Sequence, residues 1–432
     1  MPVSYRPRKH SRRRARTAEP AHPRQPALRP LATAISALLL GGAIQAQAQS
    51  FPDTINLGSL DGGTGFKIDG EAAGDYSGFS VSAAGDINGD GIGDLIIGAP
   101  FVSPGSNRPG RAYVVFGDGA GFSSPLQLSK LDGTNGFVLD GAAEFDQAGF
   151  SVSAAGDIND DGIDDLLIGA RTASRDSESQ VGASFVVFGG TAPFNPTLEL
   201  SALSGSNGFQ LVGEDQFDRS GRTVSRAGDI NNDGIDDLII GAASATPNGG
   251  VSGRSYVVFG RSTAFSSTLQ LSELNGANGF KLDGEAAYDQ SGRSVSAAGD
   301  INGDGIDDLI IGAPGTASNG PGSGRTYIVF GSSDAFLPQL QLSTLNGSNG
   351  FVIDGEAESH RSGYSVSAAG DINGDGIDDV LIGAPSPYAD VLGQTYVVFG
   401  KTSDFGASVQ LSALDGGNGV KFEGEALYDA SG

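Results

Sequence analysis

The chain has 432 residues, a formal net charge of −25 at pH 7, 69 glycines and no cysteine. The missing cysteines exclude disulfides and thiolate metal sites. The acidity argues against nucleic acid or an anionic membrane as partner and for divalent cations.

Residues 1–30 carry nine Lys and Arg against one acid, Glu19, and the apolar run Leu31–Ile44 and Ala46-Gln47-Ala48 follow. A basic start, a short apolar segment and a small-x-small cleavage site predict a secretory signal peptide over 1–48. Fourteen apolar residues fall short of the roughly 20 that span a bilayer, and no later run approaches that length, so no membrane insertion is expected. Arg12–Arg14 lacks the apolar residues that twin-arginine export would place just after the pair. Without residues 1–48 the chain keeps 17 basic and 50 acidic residues, a formal charge of −33. Residues 49–432 are therefore expected outside the cell or at its surface, with the periplasm as the other destination.

Within 49–432 one unit recurs every 71 or 72 residues, and such a period indicates a repeat architecture. In the fourth unit, Phe280–Leu282, Ser294–Ala298, Leu309–Ile311 and Thr326–Phe330 read as four short strands separated by Gly, Asn, Asp and Ser. No segment keeps a 3.6-residue period, so almost no helix is expected. The run DLIIGA is apolar on consecutive residues, as a strand buried on both faces must be. Repeated four-stranded units predict an all-β protein, a β-propeller. A linear solenoid would use shorter coils, and separate small domains would need linkers and adequate cores of their own.

Each unit carries a nine-residue acidic loop, at 86–94, 157–165, 229–237, 300–308 and 371–379. Position 1 is Asp86, Asp157, Asp229, Asp300 or Asp371; position 3 is Asn88, Asn159, Asn231, Asn302 or Asn373. Position 5 is Asp90, Asp161, Asp233, Asp304 or Asp375, and position 9 is Asp94, Asp165, Asp237, Asp308 or Asp379. Gly at position 6 permits a sharp turn. Position 7, always Ile (Ile92, Ile163, Ile235, Ile306, Ile377), would lend a carbonyl oxygen while its side chain turns to the core. Oxygens at 1, 3, 5, 7 and 9 suit Ca²⁺, which takes about six to eight oxygen ligands, better than the stricter Mg²⁺. Position 12 is apolar and strands flank the loop, unlike an EF-hand. About one Ca²⁺ per loop is expected, held in a hairpin. Asp at position 8 (Asp164, Asp236, Asp307, Asp378; Gly93 in the first loop) reads as lying behind the ligands or facing solvent.

The Phe-Gly pairs (Phe116-Gly117, Phe188-Gly189, Phe259-Gly260, Phe330-Gly331, Phe399-Gly400) and the Gly-Ala-Pro triplets at 98–100, 312–314 and 383–385 resemble the FG-GAP repeats of the integrin α-chain propeller. The resemblance covers about residues 65–432. It implies a seven-bladed ring with calcium in its hairpin loops, and cell adhesion by analogy. Gly-Ala-Pro becomes Gly169-Ala170-Arg171 and Gly241-Ala242-Ala243 in units two and three. Five complete units are present; residues 65–78 precede the first, and 419–432 read as an incomplete sixth repeat, as though the sequence were cut from a larger ring.

The catalytic inventory is thin. His360, the one histidine after residue 48, takes a place held by Asp75, Asp146, Asp218, Asp289 and Asp429 in the other units, and no Gly-x-Ser-x-Gly elbow on a strand-to-helix turn is found. The repeated Asp reads as a turn organiser. A binding or adhesion module, not an enzyme, is expected, holding a protein or glycan ligand on its loop face. The alternatives are the propeller portion of a secreted, phospholipase D-like hydrolase and a structural domain of a larger surface protein. The loops 101–110, 171–182, 244–253, 315–324 and 386–393 vary most between units and read as surface, where recognition usually sits.

Overall fold

The computed structural model describes residues 54–432 apart from 63–64, 104–106, 176–177, 192, 387–391 and 427–430. The expected signal peptide lies outside the described residues. Among them the chain forms short strands and three-residue 3-10 turns and no longer helix.

The third sheet shows how a blade is built. Thr223–Gly228, Asp237–Ala242, Arg254–Val258 and Gly279–Asp283 pair antiparallel in that order. A fifth strand, Gln339–Gln341, then lies parallel on the outer edge. It comes from the next unit, so each unit straps the blade before it. The sheets that begin with Ser80–Gly85, Ser151–Gly156 and Ser294–Gly299 repeat this order with five strands; the one that begins with Ser365–Gly370 has four. Inner strands touch in sequence order, from Ser80–Gly85 through Ser151–Gly156, Thr223–Gly228 and Ser294–Gly299 to Ser365–Gly370, the radial arrangement of a β-propeller.

Two features differ from the sequence reading. Gly279–Asp283 pairs with Arg254–Val258, so the strand that seemed to open the fourth unit is the outer strand of the third blade. For the same reason Gly419–Glu423 pairs with Gln394–Val398 and completes the fifth sheet instead of opening a sixth. The fifth, strapping strand is three residues long, too short to leave a periodic signal.

The consecutive apolar run of each second strand has a direct cause. Leu238 and Ile240 pack in one cluster with Leu167, Val186 and Phe209 of the second blade. Ile239, between them, packs with Phe280, Leu309 and Ile311 in the joint to the fourth. Alternate side chains fill the two joints, and complete burial of each such side chain stabilises the fold by about 1.5–3 kcal/mol. Aromatic triads close the same joints: Phe280 stacks on Phe336 of the next unit at 4.4 Å, and Phe259 of the Phe-Gly pair lies against both.

Candidate metal centres at the blade joints

Each acidic loop follows a β-bulge at the end of an inner strand, at Gly299 in the fourth blade (φ 68°). The loop is then shaped by its own carboxylates. Asp300 accepts hydrogen bonds from the N–H groups of Asp304 (2.9 Å) and Gly305 (2.8 Å), and Asp304 accepts one from Ile306 (3.0 Å). Asn302 accepts a further bond from Asp304 (2.8 Å). The other four loops repeat the bonds to positions 1 and 5.

Position 9 plays a different part. Asp308 is fully buried. One of its oxygens accepts the N–H of Ile301 (3.1 Å), and the other accepts that of Gly331 in the Phe-Gly pair (2.9 Å). It clamps the hairpin to the third strand of its own blade. The glycine is required there, because a Cβ on Gly331 would lie 2.3 Å from the Asp307 carbonyl oxygen and 2.5 Å from the Ile306 side chain. Burial pushes the Asp165, Asp237 and Asp308 carboxyls up to about 8, and the carboxylates at positions 5 and 1 add to the shift in each case. Positions 1, 5 and 9 are thus close enough to repel one another.

Position 3 differs between loops. Asn159 and Asn231 each hold a buried side-chain oxygen with no hydrogen-bond partner, an acceptor whose desolvation costs about 1–3 kcal/mol unless something fills the place. Orphaned amide oxygens beside mutually repelling carboxylates form a donor set suited to a hard cation. Among the described residues no three acidic, His or Cys side chains close into a metal cluster by themselves, because positions 1 and 9 turn carboxylate oxygens onto backbone N–H groups. Position 7 departs from expectation. Ile92 is 39% exposed and the other four are half-buried, lying against the Phe-Gly glycine and not in the core. The core anchor is position 2, where Ile87, Ile158, Ile230 and Ile301 are fully buried.

The position-8 aspartates are half-buried and stand behind the position-1 residue of a neighbouring loop. Asp164, Asp236, Asp307 and Asp378 reach the preceding blade and accept the N–H of its position-1 residue, at 2.8, 3.0, 3.0 and 3.1 Å. A second bond joins the same pair of blades: the residue after the Phe-Gly pair in the second to fifth units donates its N–H to the position-2 carbonyl of the blade before, as Arg261 does to Ile158 at 2.9 Å. A Cβ on Gly299 would meet the Asp378 carboxylate at 2.2 Å, so the bulge glycine admits the latch. The first loop has Gly93 here, and on that side the described residues offer only the short parallel pair of Ile68–Asp69 with Leu126–Gln127. The sequence signal was present: position 8 is acidic in every loop that follows a full sheet. Removing this acceptor should leave the Asp300 N–H unpaired at a cost of about 1–3 kcal/mol. Asp378→Ala is accordingly expected to lower the Tm by several degrees in calcium buffer, and Asp378→Asn by less. A scanning-calorimetry trace that matches the parent for Asp378→Ala would rule out the latch.

His360, Asp146, Asp218 and Asp289 are buried. The His360 Nδ1 lies 3.0 Å from the Gln394 side chain. Asp146 and Asp289 accept the N–H of the residue three before, Ala143 and Ala286, at 3.1 and 2.9 Å, which is the turn-organising role. Burial pushes Asp146 and Asp218 up to about 7.

Fold and loops together define a repeat protein of the propeller class with one acidic hairpin in each blade, at the joints where blades meet. The FG-GAP repeat model matches five times, at residues 77–115, 148–187, 220–258, 291–329 and 362–398, and the chain is an FG-GAP repeat protein. Phosphatidylinositol-glycan-specific phospholipase D of Bos taurus is 28% identical over 323 residues, 72% of this chain and 35% of that protein. The protein of the same name from Dictyostelium discoideum is 29% identical over 349 residues, 76% of this chain and 34% of that one. Integrin alpha pat-2 of Caenorhabditis elegans is 31% identical over 254 residues, 55% of this chain and 18% of the integrin. The chain thus spans about a third of the phospholipases it matches.

These relatives overturn the expectation that the chain is not an enzyme, since the phospholipases by name are enzymes. The inference from missing catalytic groups failed for a physical reason. A segment that aligns with a third of an enzyme need not hold the groups that do its chemistry. Among the described residues no helix is long and apolar enough to cross a membrane.

Proposed function

We propose that the chain is an exported, calcium-binding propeller whose exposed loop face recognises a macromolecular ligand. Two settings suit the relatives: adhesion, as in the integrins, and recognition on behalf of a hydrolase, as in a phospholipase D. The observation that carries the reading is the separation of the two ends of the inner strands. One end holds the acidic loops, engaged with one another across the joints. At the other end lie the variable loops and exposed aromatic side chains, among them Tyr76, Phe145, Phe217 and Tyr288. Cations at the first end would fix blade geometry, and the second end would be free to bind.

In each loop the ion would be held by the side chains at positions 1, 3, 5 and 9 with the carbonyl of position 7. Its chemistry there is structural: it cancels repulsion among carboxylates that the fold brings together. Isothermal titration of the exported protein with calcium tests the reading, with about five ions per chain as the expected result. Heat of binding for none, with the protein folded, would leave the loops as acidic turns and remove the basis of the proposal.

A further inference from the structure

At the end of the inner strands away from the acidic loops, the residue just before each strand is Phe79, Phe150, Arg222, Arg293 or Tyr364. Two blades therefore point arginine where three keep an aromatic ring. Arg171 stands where other units have proline or alanine, and its guanidinium lies 3.6 Å from the centre of the Phe150 ring. Arg293 covers Tyr364 at 4.3 Å. Arg219 completes the group: its charge, with those of Arg171 and Arg293, bears on Arg222, whose pKa burial and these neighbours push down to about 10.

This concentration of positive charge is anomalous in a chain of net charge −25. The arginines that begin the third strands are all paired, Arg254 with Asp283 and Glu214 at 2.5 Å each and Arg325 with Asp354 and Glu285. Among the described residues none of the four clustered arginines is in an ion pair. Arg171 and Arg219 each donate Nε to a glutamine, Gln147 and Gln180, and the Arg222 Nε is buried with no partner. The charges that bear on Arg171 are other arginines, and those on Arg222 are arginines and the Tyr364 hydroxyl. Assembling like charges without a counterion costs energy unless an anion arrives. Beside the cluster a cleft of about 260 Å³ opens between Tyr288 and Tyr364. Exposed Tyr and Phe together with Arg are enriched at the buried centre of protein interfaces.

We propose that the face formed by Arg171, Arg219, Arg222 and Arg293 docks an acidic peptide segment of a partner protein. The guanidinium forks donate to carboxylates in bidentate fashion, and the flanking rings supply apolar contact. The proposal rests on the reading of the propeller as a binding module, and names the partner's chemistry.

The test uses a fluorescein-labelled oligoglutamate peptide, a sulfated oligosaccharide of equal charge and an oligolysine peptide, each titrated against the full protein in calcium buffer. Binding of oligoglutamate that weakens at least about tenfold in Arg222→Gln/Arg293→Gln, and weakens as salt is raised, is the expected result. Melting curves of the variant and of the single substitution Arg171→Gln keep a folding defect separate from lost recognition. Equal oligoglutamate binding by parent and folded variant overturns the proposal, and so does binding of the sulfated sugar alone. Capture of the oligolysine peptide alone also overturns it but leaves the module reading standing, whereas capture of none, with calcium uptake intact and no self-association, removes both. Self-association abolished by the same substitutions, with no peptide bound, would make the occupant a second copy of this chain.

Discussion

Removing calcium is expected to lower the Tm of this protein by roughly 10 °C or more. Every loop sets carboxylates at positions 1, 5 and 9 near one another, and burial of the position-9 group denies it water as a screen. A filled loop would add about 2.7 kcal/mol at a hundredfold excess of ion over its dissociation constant. A domain of 150–250 residues shifts by about 2–4 °C per kcal/mol, so several loops acting together produce a large change. The effect should also reach cooperativity. Positions 1 and 2 of the first four loops are bonded to the next blade, so an emptied loop there loosens the joint as well as the hairpin, and the transition should broaden. Scanning calorimetry in calcium and in EGTA, with magnesium as control, measures both quantities. Superimposable traces would show that the loops need no ion.

Asp308→Ala should destabilise the protein with or without calcium, whereas Asp304→Ala should do so only with it. Both residues belong to the proposed ligand set, but their surroundings differ. Asp304 is exposed and accepts a single bond, from Ile306. Its loss should remove one ion from the calorimetric count and leave the EGTA melt within about 1 kcal/mol of the parent. Asp308 is fully buried and satisfies the N–H groups of Ile301 and Gly331. Alanine would strand both donors at about 1–3 kcal/mol each, in either buffer. An Asp308→Ala protein that matches the parent in EGTA would refute the clamp and leave position 9 as a ligand only.

The sequence by itself determined the all-β class, the propeller and the loops' places in the chain, because each is written in local chemistry: a fixed period, apolar runs of strand length, and glycine with Asp and Asn at turn spacing. Even the consecutive apolar residues of DLIIGA were readable as burial on both faces. Tertiary structure alone decided which strands share a blade. Gly279–Asp283 joins the sheet before it and Gln339–Gln341 straps that sheet from outside, pairings that local pattern cannot distinguish from the neighbouring choice. It also decided what identical letters do. Asp307 and Asp308 are adjacent in sequence, yet one latches the previous blade and the other clamps its own, since successive residues point to opposite sides of an extended chain. The arginine cluster was hidden for the same reason. Its members come from three units, and only the closeness of the inner strands about their axis brings the four guanidinium groups onto one face.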